Sequence, residues 1–168
     1  MTVVLGIDPG LAKTGYGVIK CDSNHYRYVA HGTIITPPDE SRGSRLSTIY
    51  REIIRVSEEF RPRYAGIESL YFARNVSSAM PVAEARGVML LALHESGVDA
   101  KEFPPREIKQ AISGSGRADK SQVQELVRVL LGLEIIPKPN HAADALATAI
   151  CCFNNMSADE KIGVGRDP

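Results

Sequence analysis

Four side chains scattered along this chain, Asp8, Glu68, His141 and Asp144, are of types that together hold divalent metal ions. Asp8 closes the apolar run Val3-Val4-Leu5-Gly6-Ile7 and is followed by Pro9-Gly10, while Glu68 closes a second run, Tyr64-Ala65-Gly66-Ile67. His141 and Asp144 stand three apart at the start of a helical pattern, so they share one helix face. Taken singly, each has a plain reading. Asp-Pro-Gly is a common turn, a glutamate leaving a strand is often a solvated loop residue, and an aspartate suits the first turn of a helix. A buried strand that ends in a carboxylate, however, needs a partner for that charge. Three carboxylates and one imidazole suit one or two octahedral cations, Mg²⁺ or Mn²⁺. Two such ions about 3.5–4 Å apart activate water and stabilise the leaving oxygen of a phosphodiester. Asp8 is then the expected bridging ligand, and the softer imidazole predicts better activity with Mn²⁺ than with Mg²⁺. Two roles stand open for His141: metal ligand, or general base for the attacking water.

The elements that must position these groups follow from the hydrophobic pattern. Short β-branched apolar runs bounded by turn residues predict strands over residues 3–8, 14–20 and 26–35, the last ended by Pro37-Pro38. Leu46, Ile49, Tyr50, Ile53, Ile54 and Val56 recur at helical spacing, which predicts an amphipathic helix over 44–60. A strand over 64–68 follows, then a long helix over 75–96 interrupted near its start by Pro81, then a strand over 98–103. A short helix opens at Pro104-Pro105, another spans 119–131, and the last covers 141–153 with Asn140 as its expected N-cap. Three antiparallel strands followed by helix, strand, helix, strand predict an α/β fold: a five-stranded mixed sheet flanked by helices on both faces. Function in such sheets gathers at the carboxyl ends of adjacent strands.

Bulk properties narrow the class. The 168 residues suit one domain, and 43% hydrophobic with 24% charged residues is ordinary for a globular protein. A formal net charge of zero advertises neither nucleic acid nor membrane, so a polyanion site has to be a local patch. Cys21, Cys151 and Cys152 form neither a disulfide framework nor a Cys-x-x-Cys metal spacing. With neither a signal-peptide pattern nor an apolar stretch of spanning length, the expected compartment is the cytoplasm, with no membrane contact.

Gly6-Ile7-Asp8-Pro9-Gly10 with Thr14-Gly15-Tyr16-Gly17 resembles the opening of the RuvC family of bacterial Holliday-junction resolvases. The likeness continues through Ile67-Glu68, Ala85-Arg86-Gly87-Val88, Ile108-Lys109-Gln110, Lys120-Ser121-Gln122-Val123 and Ala142-Ala143-Asp144-Ala145-Leu146-Ala147, in family order and up to about Cys152. This resemblance implies an RNase H-like fold and a homodimer. It also implies a metal-dependent endonuclease that resolves four-way DNA junctions by paired nicks in recombination and repair. Catalysis and metal binding are thereby carried onto Asp8, Glu68, His141 and Asp144, with two ions per active site. Some members have an aspartate where this chain has His141, which bears on metal preference and pH dependence. The resemblance also implies cooperation with a branch-migration motor, RuvA and RuvB.

Contacts to DNA are expected at Lys109 and Lys120, whose phosphate contacts would impose salt dependence without reading bases. The segment Tyr71-Phe72-Ala73-Arg74-Asn75 directly follows the Glu68 strand and mixes aromatics with a cation. Tyr71 matches a family aromatic, which suggests a wedge stacking on an unpaired base beside Arg74. The segment Val88-Met89-Leu90-Leu91-Ala92-Leu93 is apolar on every face and needs a second cover. Pairing with its own two-fold copy supplies one. The competing cover is the chain's own 104–131 region. Residues 1–153 are expected to form the nuclease domain and 154–168 a polar tail. Competing functions are a different RNase H-like nuclease acting on precursor ribosomal RNA, a non-catalytic junction-binding module, and an actin-like ATPase. The chain is too short for the last and lacks a Walker-type loop.

Overall fold

An apolar run rich in β-branched residues at the amino terminus forms the central strand of the sheet. The computed structural model describes residues 1–23, 25–69 and 76–156. β1 (Thr2–Asp8), β2 (Lys13–Asp22) and β3 (His25–Ile35) run antiparallel. β4 (Tyr64–Glu68) and β5 (Asp99–Phe103) add parallel on the other side of β1, giving the order β3-β2-β1-β4-β5. This is the mixed five-stranded sheet that the hydrophobic pattern predicts. β1 and β4 run side by side in register from Val4 with Tyr64 to Ile7 with Ile67. Their carboxyl ends, Asp8 and Glu68, therefore emerge together.

α1 (Arg42–Phe60) and α2 (Val76–Glu95) cover one face of the sheet. There Leu5, Ile7, Val18, Ala65 and Ile67 pack on Ile49, Ile53, Val56, Met89 and Leu93. The other face carries α5 (Asn140–Asn154), with α3 (Pro105–Ser113) and α4 (Lys120–Leu130) stacked outside it. α4 starts on a capping box, in which Gln122 N–H donates to Asp119 at 2.8 Å and Asp119 N–H donates to Gln122 at 3.0 Å. Among the described residues, no helix is long and apolar enough to cross a membrane.

Three details differ from the sequence expectation. α2 runs through Pro81 without a break. Asn140 is the first residue of α5, and Pro139 takes the N-cap position without a side-chain bond. The packed chain also reaches past residue 153: Asn154 belongs to α5, and Met156 is buried in the core. The 104–131 region lies on α5 and leaves α2 uncovered, so Met80 and Leu91 stand exposed and a Cβ at Gly87 would meet open space. The expected start of α2 at Asn75 lies outside the described residues.

α5 reaches the sheet because the strands beneath it lack side chains. Gly17, Gly6 and Gly66 lie in one row across β2, β1 and β4. A Cβ at Gly6 would stand 1.9 Å from the Ala145 carbonyl, and one at Gly66 2.9 Å from both Thr148 O and Cys152 Cβ. The helix answers with Ala142, Ala145 and Ala149, all fully buried. Backbone thus approaches backbone, closer than larger residues allow.

Candidate active site

Asp8, Glu68, His141 and Asp144 line one cavity of about 410 Å³ at the carboxyl ends of β1 and β4, together with Lys109, Lys120 and Thr148. β1 delivers Asp8, β4 delivers Glu68, and the first turn of α5 delivers His141 and Asp144. The glycine contacts fix the distance: a Cβ at Gly15, opposite Asp8 in the β1–β2 register, would stand 2.0 Å from the His141 carbonyl. The turn after Asp8 is braced from behind. Buried Thr36 donates its hydroxyl to the Leu11 carbonyl at 2.5 Å, and Arg45 Nε donates to the same hydroxyl at 2.9 Å. Thr14 donates to the Gly10 carbonyl at 2.7 Å.

His141 Nδ1 lies 2.8 Å from Asp8 Oδ2. A carboxylate can only accept here, so Nδ1 carries a hydrogen, and in the neutral ring Nε2 is the nitrogen with the lone pair. On the other side of the cavity, Lys120 Nζ is 2.8 Å from Asp144 Oδ2. The carboxyls press on one another. Burial, followed by the neighbouring charge of Asp8 and a hydrogen bond to it, pushes Glu68 up to about 7. Burial also raises Asp8, against the pull of its bond from His141. Lys120 is raised by its bond to Asp144, as expected for an ammonium facing three acids. These groups share one excess of negative charge and too few positive groups to balance it.

That imbalance is the test of whether a divalent cation fits. The donors are hard carboxylate oxygens plus one imidazole nitrogen, the set such ions take, and the Lys120 ammonium already stands against one of them as a cation. As the side chains are turned, Asp8 faces the His141 N–H and Asp144 faces Lys120. Among the described residues, no three Asp, Glu, Cys or His side chains form a ready-made ion cage. The donor chemistry fits the ion, although the side chains as they stand are turned to His141 and Lys120.

Lys109 and Lys120, expected as DNA contacts, both border this cavity. Tyr71 and Arg74 lie outside the described residues. Sequence reading missed the brace of Thr36 and Arg45 and the packing role of Gly6, Gly15 and Gly66. Their only sequence signal is a glycine inside a strand pattern, which marks close backbone approach once the register is known.

A family model described as crossover junction endodeoxyribonuclease RuvC matches residues 4–152. A crossover junction endodeoxyribonuclease RuvC of Treponema denticola is 52% identical over 151 residues, covering 90% of this chain and 85% of that protein. The structure of Thermus thermophilus RuvC superposes with a TM-score of 0.84 at 36% identity, covering 89% of this chain and 92% of that one. A second structure, T. thermophilus RuvC in complex with a Holliday junction substrate, gives 0.82 at 34% identity over 90% and 92%.

Proposed function

The chain belongs to the RuvC family of crossover junction endodeoxyribonucleases, and from that premise we propose that it resolves four-way DNA junctions by paired symmetric nicks in recombination and repair. The observation that carries this reading is the convergence of Asp8, Glu68, Asp144 and His141 on one cavity at the ends of two parallel neighbouring strands. Nucleases of this family depend on divalent metal, and two Mg²⁺ or Mn²⁺ ions held by Asp8, Glu68, Asp144 and His141 are the arrangement we propose. When bound, such ions neutralise the charge that builds on the attacking and leaving oxygens of the phosphodiester.

The chain's own groups do the rest. The Asp8 carboxylate holds the imidazole by Nδ1–H, which aims the Nε2 lone pair into the cavity. Of the two roles open to His141, this geometry suits the ligand role, in which a ring N–H held by a carboxylate leaves the other nitrogen for an ion. Lys109 and Lys120 bring two ammonium groups to the phosphates of the cut strand, and we assign Tyr71 and Arg74 to the bases and backbone beside it. The enzyme acts as a homodimer through the stripe of Met80, Gly87 and Leu91 on α2, which sets two sites symmetrically on a two-fold junction. The nuclease domain takes in residues up to 156, with 157–168 following it, the branch-migration motor RuvA and RuvB are the expected partner, and the cytoplasm is the compartment.

A fixed four-way junction and Mn²⁺ test the reading. Wild type should give paired nicks, while Asp8→Asn should bind the junction with nicking reduced by at least about a thousandfold. Absence of nicks from the wild type, or full activity in Asp8→Asn, overturns the assignment.

A further inference from the structure

β3 contributes no residue to the cavity, yet it reaches the segment that leads into His141. The β2–β3 register shifts between Val18, paired with Ala30, and Ile19, paired with Tyr28, which leaves Val29 as an extra residue on β3. Side chains three apart on a regular strand point to opposite faces. The bulge turns Tyr28 and His31 to the same face, that of α5, while Val29 and Ala30 both pack into the core on the α1 side. There the Tyr28 hydroxyl stands 3.0 Å from His31 Nδ1, and His31 Nε2 stands 3.1 Å from the Lys138 carbonyl.

A carbonyl only accepts, so Nε2–H donates to Lys138; in the neutral ring Nδ1 then accepts from the tyrosine hydroxyl. Lys138 lies three residues before His141, across the start of α5. The next carbonyl, that of Pro139, already accepts from Ala142 N–H at 2.9 Å. Pro139 offers no side-chain cap to hold this helix end, and its neighbours Lys138 and Asn140 are exposed. The edge strand supplies the missing anchor.

We propose that His31 is a positioning residue for His141. By holding the Lys138 carbonyl, it fixes where α5 begins and thereby the placement of the imidazole against Asp8. Tyr28, bonded to the other ring nitrogen, holds the ring in place, and the Val29 bulge is the device that brings the two together. His31 touches neither substrate nor ions. The role rests on the nuclease reading for its rate consequence, but not for its structural one.

Single-turnover nicking and junction affinity, measured separately for wild type, His31→Ala, His31→Gln and Tyr28→Phe, test this. Loss of an outer-shell partner typically costs on the order of tenfold, so His31→Ala should nick about tenfold more slowly with junction Kd within about twofold. Tyr28→Phe should lose less. His31→Gln keeps an N–H where Nε2–H stood and should recover most of the rate, which a merely structural role would not predict. The ¹⁵N resonances of the His141 ring, in metal-free protein without DNA, should shift in His31→Ala and return in His31→Gln. This second readout stands even if the wild type fails to nick junctions. Should His31→Ala not fold, Tyr28→Phe at unchanged Tm decides on both readouts. Unaltered rate and unaltered ¹⁵N shifts, or a Gln variant as impaired as Ala on both, overturn the proposal.

Discussion

The two faces of the sheet are built on opposite principles. Against α1 and α2, bulky side chains fill the space: Leu5, Ile7 and Ile67 meet Ile49, Ile53, Met89 and Leu93, all with no exposure. Against α5, one row of side chains is removed: Gly6 meets the helix backbone and Gly17 admits Leu146, while Val4, Ile19 and Ile150 fill the core around the row. The first face tolerates rearrangement, because side chains of similar volume can repack. The second has little to rearrange along its glycine row. Since α5 also carries His141 and Asp144, the face that admits less adjustment is the one that sets the chemistry. Precision at the cavity comes from close approach, and bulk stability comes from the other side.

Substitutions can break this contrast. The largest effect should follow Gly6→Ala, whose added methyl would stand 1.9 Å from the Ala145 carbonyl and 2.5 Å from the Ala149 nitrogen. Neither is the end of a flexible side chain, so the loss should exceed the ~1–3 kcal/mol usual for overpacking, and circular dichroism should show a largely unfolded protein. Ile53→Ala, on the bulky face, should cost ~2–5 kcal/mol in denaturant unfolding, yet leave the nicking rate of the folded fraction unchanged. A rate loss beyond about threefold, on the scale of RT ln 3 or ~0.7 kcal/mol, would show that the two faces are not independent.

Gly15→Ala should separate chemistry from stability most sharply. Its methyl would stand 2.0 Å from the His141 carbonyl, two residues along β2 from the row and against the first turn of α5. A displacement of about 1 Å costs on the order of a hundredfold in rate, and single-turnover assays should show this with the protein still folded. The smallest effect concerns pH. Folding raises Glu68 from its ordinary 4.5 to about 7, so between these values the folded, metal-free protein binds more protons than the unfolded chain. Stability must then fall as pH rises through that window, by on the order of 1–2 kcal/mol once shared titration with Asp8 is allowed for. Thermal melts in chelator should show the decline, and Glu68→Gln should flatten it.

How much of this was legible beforehand depends on whether a feature is local. Strand and helix positions follow from runs and periodicities that the sequence displays directly, and β4 at residues 64–68 is read to the residue. Asp8 and Glu68 were legible as acids closing buried strands. The capping of α5 was not, because Asn140 is a good cap by type but Pro139 precedes it with an extended backbone that claims the position. The pairing of Lys120 with Asp144 joins two elements 24 residues apart, and no periodicity encodes it. The glycine row needs the register of three strands, and the Val29 bulge needs the register of two. Neither exists in one dimension.

Helix α5 has a temporal consequence as well as a spatial one. It is the final element of the described chain and holds half of the catalytic constellation, while Asp8 lies at the opposite extremity, in β1, and Glu68 between them, in β4. A polypeptide emerging from the ribosome exposes Asp8 almost at once, but it has no imidazole to set against that aspartate until some 130 further residues have been made. The nascent resolvase therefore lacks half of its catalytic groups until α5 has been made and has settled onto the glycine row of the sheet.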